Sequence, residues 1–229
     1  MMRPVHPVSA AKFRPDGWPR PYPGITISAP LRRDPCTIAK LHRLCTTLQH
    51  LPGAGQFSFL PASCWHMTVL RGVNLRRRQD AWPRGLARGA CLSHLVARMQ
   101  DRLRPVALPP GLRLVVQGLD LTGAGDIRLT LQPEGRARAT QLDRLRDRLA
   151  RALRHSDHGL RGPLHLTLAY RVRPVSAQAE AQFAAALHAL QPGIVGANMA
   201  FGRPALVVYR DMWDFAHPQR MRGAAGKTR

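Results

Sequence analysis

A chain of 229 residues that is 45% hydrophobic and 21% charged can bury a core without staples and is too apolar to stay disordered. It has no run approaching the roughly 18 apolar residues of a membrane span, and residues 1–23 lack the apolar stretch of a secretory signal, so a cytoplasmic protein is expected. Lys and Arg total 35 against 13 for Asp and Glu, a formal +22, which favours an anionic partner. Only three of those cations are lysines (Lys12, Lys40, Lys227), and so lopsided a ratio also fits a GC-rich coding bias; the charge does not identify the partner.

Residues 1–23 hold six prolines and little periodicity, predicting an irregular arm ahead of a domain over 24–216. Residues 24–29 alternate like a strand. Ile38, Leu41, Leu44, Cys45 and Leu48 then recur at helical spacing from Asp34 to a stop at Pro52-Gly53. Phe57 and Phe59 mark a second strand and residues 65–70 a third. Residues 71–90 read as a long Arg- and Gly-rich loop, with 91–103 helical. Strands over 112–119 and 126–131 flank the turn-like Thr122-Gly123-Ala124-Gly125. A charged helix over 138–154 carries Leu142, Leu145, Leu149 and Leu153 on one face. A strand over 163–172, an Ala-rich helix over 176–190 and strands over 194–201 and 205–209 follow, then a basic tail over 217–229. The pattern predicts an α+β fold of two similar lobes around a shared groove. The tight turn at 123–125 implies an antiparallel hairpin and weighs against a doubly wound parallel sheet.

Each half carries one copy of the same signature: His66-Met67-Thr68-Val69 and His165-Leu166-Thr167-Leu168, 99 residues apart. On a strand the His and Thr of each copy share one face and the two apolar residues the other. Two imidazoles meeting across a cleft can divide the work of general base and general acid near neutral pH, and two threonine hydroxyls can hold the non-bridging phosphate oxygens. Such chemistry needs no metal and no cofactor. The four cysteines (Cys36, Cys45, Cys64, Cys91) show no C-x-x-C spacing and read as free thiols. His155-Ser156-Asp157-His158 reads as a turn and cap rather than a metal set. Arg76-Arg77-Arg78 reads as a solvated loop, with a nucleic-acid backbone contact as the alternative. The ending Gly223-Ala224-Ala225-Gly226-Lys227-Thr228 lacks the spacing and following helix of a phosphate loop. Tyr170 and Tyr209 are candidate contacts for a nucleobase, although regular alternation turns Tyr170 away from His165. Trp65 and Phe57 fit a core.

Paired H-x-T-x motifs resemble those of the 2H phosphoesterase superfamily. The resemblance extends to Phe57-Ser58-Phe59-Leu60-Pro61, Cys64-Trp65, Gly72-Val73, Trp82-Pro83, His155-Ser156-Asp157-His158, Ala169-Tyr170, and Pro204-Ala205-Leu206 with Tyr209-Arg210-Asp211-Met212, which are similar to a poorly characterised bacterial and fungal subgroup. It implies two antiparallel lobes related by a pseudo-twofold axis. It also implies opening of a 2′,3′-cyclic phosphate or a related phosphodiester of an RNA end or small nucleotide. His66 and His165 match the family's catalytic positions, and Thr68 and Thr167 its phosphate-binding positions. Arg71 departs from the less basic residue expected there and is a candidate substrate contact. A non-catalytic RNA- or nucleotide-binding module, and an RNA 2′,5′-ligase running the reverse chemistry, are the alternatives.

Overall fold

Asp34 accepts from the Thr37 amide at 2.8 Å and starts α2 (Pro35–Gln49), whose Leu41, Cys45 and Leu48 are buried at helical spacing. Local signals of this kind set most elements of the computed structural model, which describes residues 2–76, 82–155 and 162–215. The remaining helices are α1 (Pro7–Lys12), α3 (Leu92–Leu103), α4 (Arg136–Leu153) and α5 (Ala177–Leu190). The strands are β1 (Met2–Arg3), β2 (Gly24–Pro30), β3 (Phe57–Phe59), β4 (His66–Leu70), β5 (Leu112–Leu121), β6 (Asp126–Pro133), β7 (His165–Arg171), β8 (Val175–Ser176), β9 (Asn198–Phe201) and β10 (Ala205–Tyr209). No helix among the described residues is long and apolar enough to cross a membrane.

The fold is α+β with antiparallel sheets. One sheet has the order β10-β2-β4 and the other β3-β7-β6-β5-β9; β1 and β8 form a small pair of their own. Every pairing is antiparallel, as the hairpin at 122–125 implies. The lobes are interlocked: β3 from the first half joins the second sheet, and the final strand β10 joins the first. At the junction β4 and β7, the two strands bearing the repeated signature, lie against each other. One apolar core runs beneath both sheets, with the α4 stripe packed on β4 and β6, and Phe183 of α5 stacked on Phe57 at 4.7 Å.

Three details differ from the sequence-based expectation. Residues 194–201 form a strand only from Asn198, because a 3₁₀ turn at Gln191–Gly193 occupies the approach. The arm expected to be irregular contains β1 and α1, the latter capped by His6, whose Nδ1 accepts from the Val8 amide at 3.2 Å. It is also tied down: Phe13 is buried in a second apolar cluster with Tyr22, Leu60, Val172, Tyr209 and Met212, and Ser58 Oγ donates to the Gly17 carbonyl at 2.8 Å. Third, both signature strands contain a bulge. Ile27 pairs with Leu70 but Ser28 with Thr68, leaving Val69 unpaired. Ile127 pairs with Ala169 but Arg128 with Thr167, leaving Leu168 unpaired. The extra residue is the fourth of the signature in both copies, and both are wholly buried. Residues Arg77 and Arg78, Ser156 to His158 and the 217–229 tail lie outside the described residues.

Candidate active site

His66 and Thr68 lie on one face of β4, with Met67 and Val69 fully buried on the other. His165 and Thr167 repeat the arrangement on β7 over Leu166 and Leu168. All four polar side chains are half-buried and line a single cleft of about 610 Å³. The two rings are anchored alike. Nδ1–H of His66 donates to the Cys64 carbonyl at 2.7 Å, and Nδ1–H of His165 to the Pro163 carbonyl at 2.8 Å, each two residues upstream. A carbonyl can only accept, so both neutral rings carry their proton on Nδ1 and leave Nε2 to the cleft.

Electrostatics separate the two. Burial pushes the His66 pKa down to about 4, with His165 and Lys12 adding in the same sense against the Cys64 carbonyl. Burial also lowers His165; Arg128 and Arg71 reinforce the shift, while the Pro163 carbonyl and Asp126 oppose it. Phe215 stacks on the His66 ring at 4.1 Å, only 5° from parallel, and Tyr209 stacks on Phe215 at 4.2 Å. The Tyr209 hydroxyl, hydrogen-bonded to Asn74, is pushed up to about 12 by burial and stays protonated.

The bulge overturns the expectation for Tyr170. Regular alternation would turn it from the cleft, but the extra residue Leu168 resets the phase, and Tyr170 lies opposite Asp126 with its side chain lining the cleft beside His165. Arg71 sits exposed at the rim. A side chain at Gly72 would run into the Ile25 carbonyl at 2.0 Å, so glycine lets the loop after β4 hug β2 and hold Arg71 there. Tyr209 also lines the cleft. Trp65 and Phe57 are buried in the core.

Three contributors escaped the sequence reading. Lys12 of α1 enters the cleft, its Nζ donating to the Tyr170 hydroxyl at 3.2 Å and lying 4.3 Å from that ring's centre. Arg128 lines the cleft from β6, opposite Thr167. Arg146 of α4, only 7% exposed, donates from Nε to the Val69 carbonyl and from Nη2 to the Gly162 carbonyl, both at 2.8 Å. It thus ties the first bulge to the segment that leads into His165. Arg146 falls within the helical stripe Leu142, Leu145, Leu149, Leu153, a position from which burial could have been inferred. Among the described residues no three His, Cys, Asp or Glu groups gather as a metal set.

A two-lobed antiparallel fold with one His-Thr pair from each lobe in a common cleft defines a two-histidine protein of the phosphoesterase type. Residues 12–125 match a family model described as 2H-phosphodiest, a domain of unknown function (DUF1868), and the chain is a member of the 2H phosphoesterase superfamily. The crystal structure of ATU0111, a conserved protein of unknown function from Agrobacterium tumefaciens str. C58, has the same fold. Its TM-score is 0.73 at 24% identity, over 93% of this chain and 91% of that one. TT0787 of Thermus thermophilus is more distant, at TM-score 0.45 and 14% identity over 80% of this chain and 87% of that one. No curated protein matches the chain.

Proposed function

We propose that the protein is a phosphodiesterase that opens a 2′,3′-cyclic phosphate, at an RNA end or on a small nucleotide, by two-histidine acid–base catalysis without a metal. One observation carries this reading: two imidazoles with the same backbone anchor and the same free nitrogen, each beside a threonine, line one cleft. Neither threonine hydroxyl has a hydrogen-bond partner among the described residues, so both are available to the non-bridging oxygens of a phosphate. His66, held strongly in its neutral form, is the base: its Nε2 takes a proton from water as the water oxygen bonds to phosphorus. His165, with Asp126 nearby, is the acid. Its Nε2–H passes a proton to the ribose oxygen as the P–O bond breaks, leaving a phosphate monoester. The Thr68 and Thr167 hydroxyls donate to the oxygens on which charge grows.

The test is incubation of the purified protein with 2′,3′-cyclic nucleotides and cyclic-ended oligonucleotides in EDTA, with products resolved by chromatography. Conversion to a single monoester isomer is expected. Tight, salt-sensitive binding without turnover would instead identify a binding module, and joined oligonucleotide halves a ligase; either overturns the hydrolase reading.

A further inference from the structure

The cleft carries more positive charge than one phosphodiester needs. Among the described residues lining it, Lys12, Arg71, Arg128 and Arg146 face one carboxylate, Asp126, whose Oδ1 already accepts from Thr122 Oγ1 at 2.5 Å. Two of the cations have protein partners there: Arg146 holds the Val69 and Gly162 carbonyls, and Lys12 the Tyr170 hydroxyl. The other two differ. Arg128 stands across the ladder from Thr167, and its Nε is buried with no hydrogen-bond partner among the described residues. A buried guanidinium N–H without an acceptor is costly to keep, and a bound anion would satisfy it. Arg71 projects beside Gly162 at the exposed rim.

Arg128 and Arg71 flank His165: Arg128 stands opposite Thr167, downstream on β7, and Arg71 lies beside Gly162, upstream of it. Arg128 and Arg71 both act on His165, whereas Lys12 acts on His66. Rings also line the cleft: Tyr170 and Tyr22 stand around the Lys12 ammonium, and Phe215 stacks on His66 with Tyr209 stacked on Phe215 in turn. A diester between the imidazoles bears a single charge and has two threonines to hold it. The two guanidiniums flanking His165 match a further phosphate, which their planar forks bind well.

We propose that Arg128 and Arg71 form a second phosphate subsite beside His165, so that the preferred substrate carries a phosphate besides the one being opened. This rests on the phosphodiesterase reading above. The second phosphate is either the neighbouring backbone diester of an oligonucleotide or a terminal monoester on a mononucleotide.

The experiment compares three substrates with the full-length protein: a 2′,3′-cyclic mononucleotide, its 5′-phosphorylated form, and a dinucleotide with a cyclic end. At least one two-phosphate substrate should show kcat/KM about tenfold or more above the simple cyclic nucleotide, and the arm that does so identifies the source. Arg128→Met should lose at least about fivefold more on that substrate than on the one-phosphate substrate, with Arg128→Lys intermediate. Equal rates on all three substrates, or proportional losses in R128M, overturn the subsite. The exposed Arg71→Gln variant should show the same differential loss at smaller size, which covers a folding defect in R128M. Calorimetry needs no turnover: a nucleoside 3′,5′-bisphosphate should bind more tightly than the 3′-monophosphate, and equal affinities overturn the subsite. An Arg128-dependent preference for the bisphosphate without turnover of any cyclic phosphate supports the subsite and refutes only the hydrolase reading.

Discussion

Replacing Arg146 with methionine keeps the aliphatic stem but removes both donors that bridge Val69 of the first signature and Gly162, next to the carbonyl that anchors His165. Hydrogen bonds from a charged group are each worth about 1.5–3 kcal/mol, and both carbonyls would lose a partner in a nearly dry site. The loss should therefore reach about 3–6 kcal/mol, equivalent to a melting temperature about 6–24 °C lower for a chain of this length. Thermal and urea unfolding followed by circular dichroism measure it. The exposed Arg144→Met on the same helix serves as control and should change stability by no more than about 0.5 kcal/mol. Because Arg146 positions both half-sites without entering the reaction, kcat should fall while the shape of the pH profile stays the same. A destabilisation under about 1 kcal/mol with unaltered kcat would refute the bridging role.

His66 has a folded pKa of about 4 against about 6.5 unfolded, so the fold favours the neutral ring. Its contribution is complete above about pH 6.5 and is lost as pH falls toward 4, by at most about 3 kcal/mol, because the unfolded chain binds the extra proton. Urea unfolding between pH 7 and 4 should show this slope, and His66→Asn should flatten it. In the free enzyme the base must be neutral and the acid protonated, so kcat/KM should rise through about pH 4 and decline on the alkaline side from below 6.5, since His165 is also lowered; an optimum above pH 8 would contradict the assignment. Thr68→Val and Thr167→Val should each lower kcat by about tenfold or more with native-like melting, if both hydroxyls bind the growing charge. Lys12→Met should raise KM several-fold with a smaller change in kcat; unchanged KM would show the arm to be only structural.

The two signature strands were legible because a polar-apolar alternation with a His and a Thr on one face is readable from four residues. The helices were legible from periodic leucines and from caps such as Asp34. The bulges were harder to see. Val69-Leu70 and Leu168-Ala169 are adjacent apolar pairs that break the alternation, yet only the pairing register shows that the fourth residue is the extra one and that Tyr170 swings into the cleft. Lys12 was obscured by its setting among prolines, since nothing local indicates that Phe13 would pin the arm against residues near the C-terminal end of the fold. Arg146 and Arg128 were masked by the abundance of arginine. Their distinctiveness is tertiary: one is buried within an otherwise leucine stripe, and the other, on a strand facing Thr167, has a buried Nε with no hydrogen-bond partner among the described residues. The exchange of β3 and β10 between sheets is likewise long-range, and no local pattern encodes it.

The proposed mechanism requires His66 and His165 to act as one proton-transfer unit. Its most direct test is kcat/KM on a 2′,3′-cyclic nucleotide for His66→Ala, His165→Ala and the double variant, with folding verified by circular dichroism. Each single change should cost at least about a hundredfold, and the double change little more than either alone, because groups that act as a unit are not additive. Wild-type activity in either single variant, or losses that multiply in the double, would contradict the account.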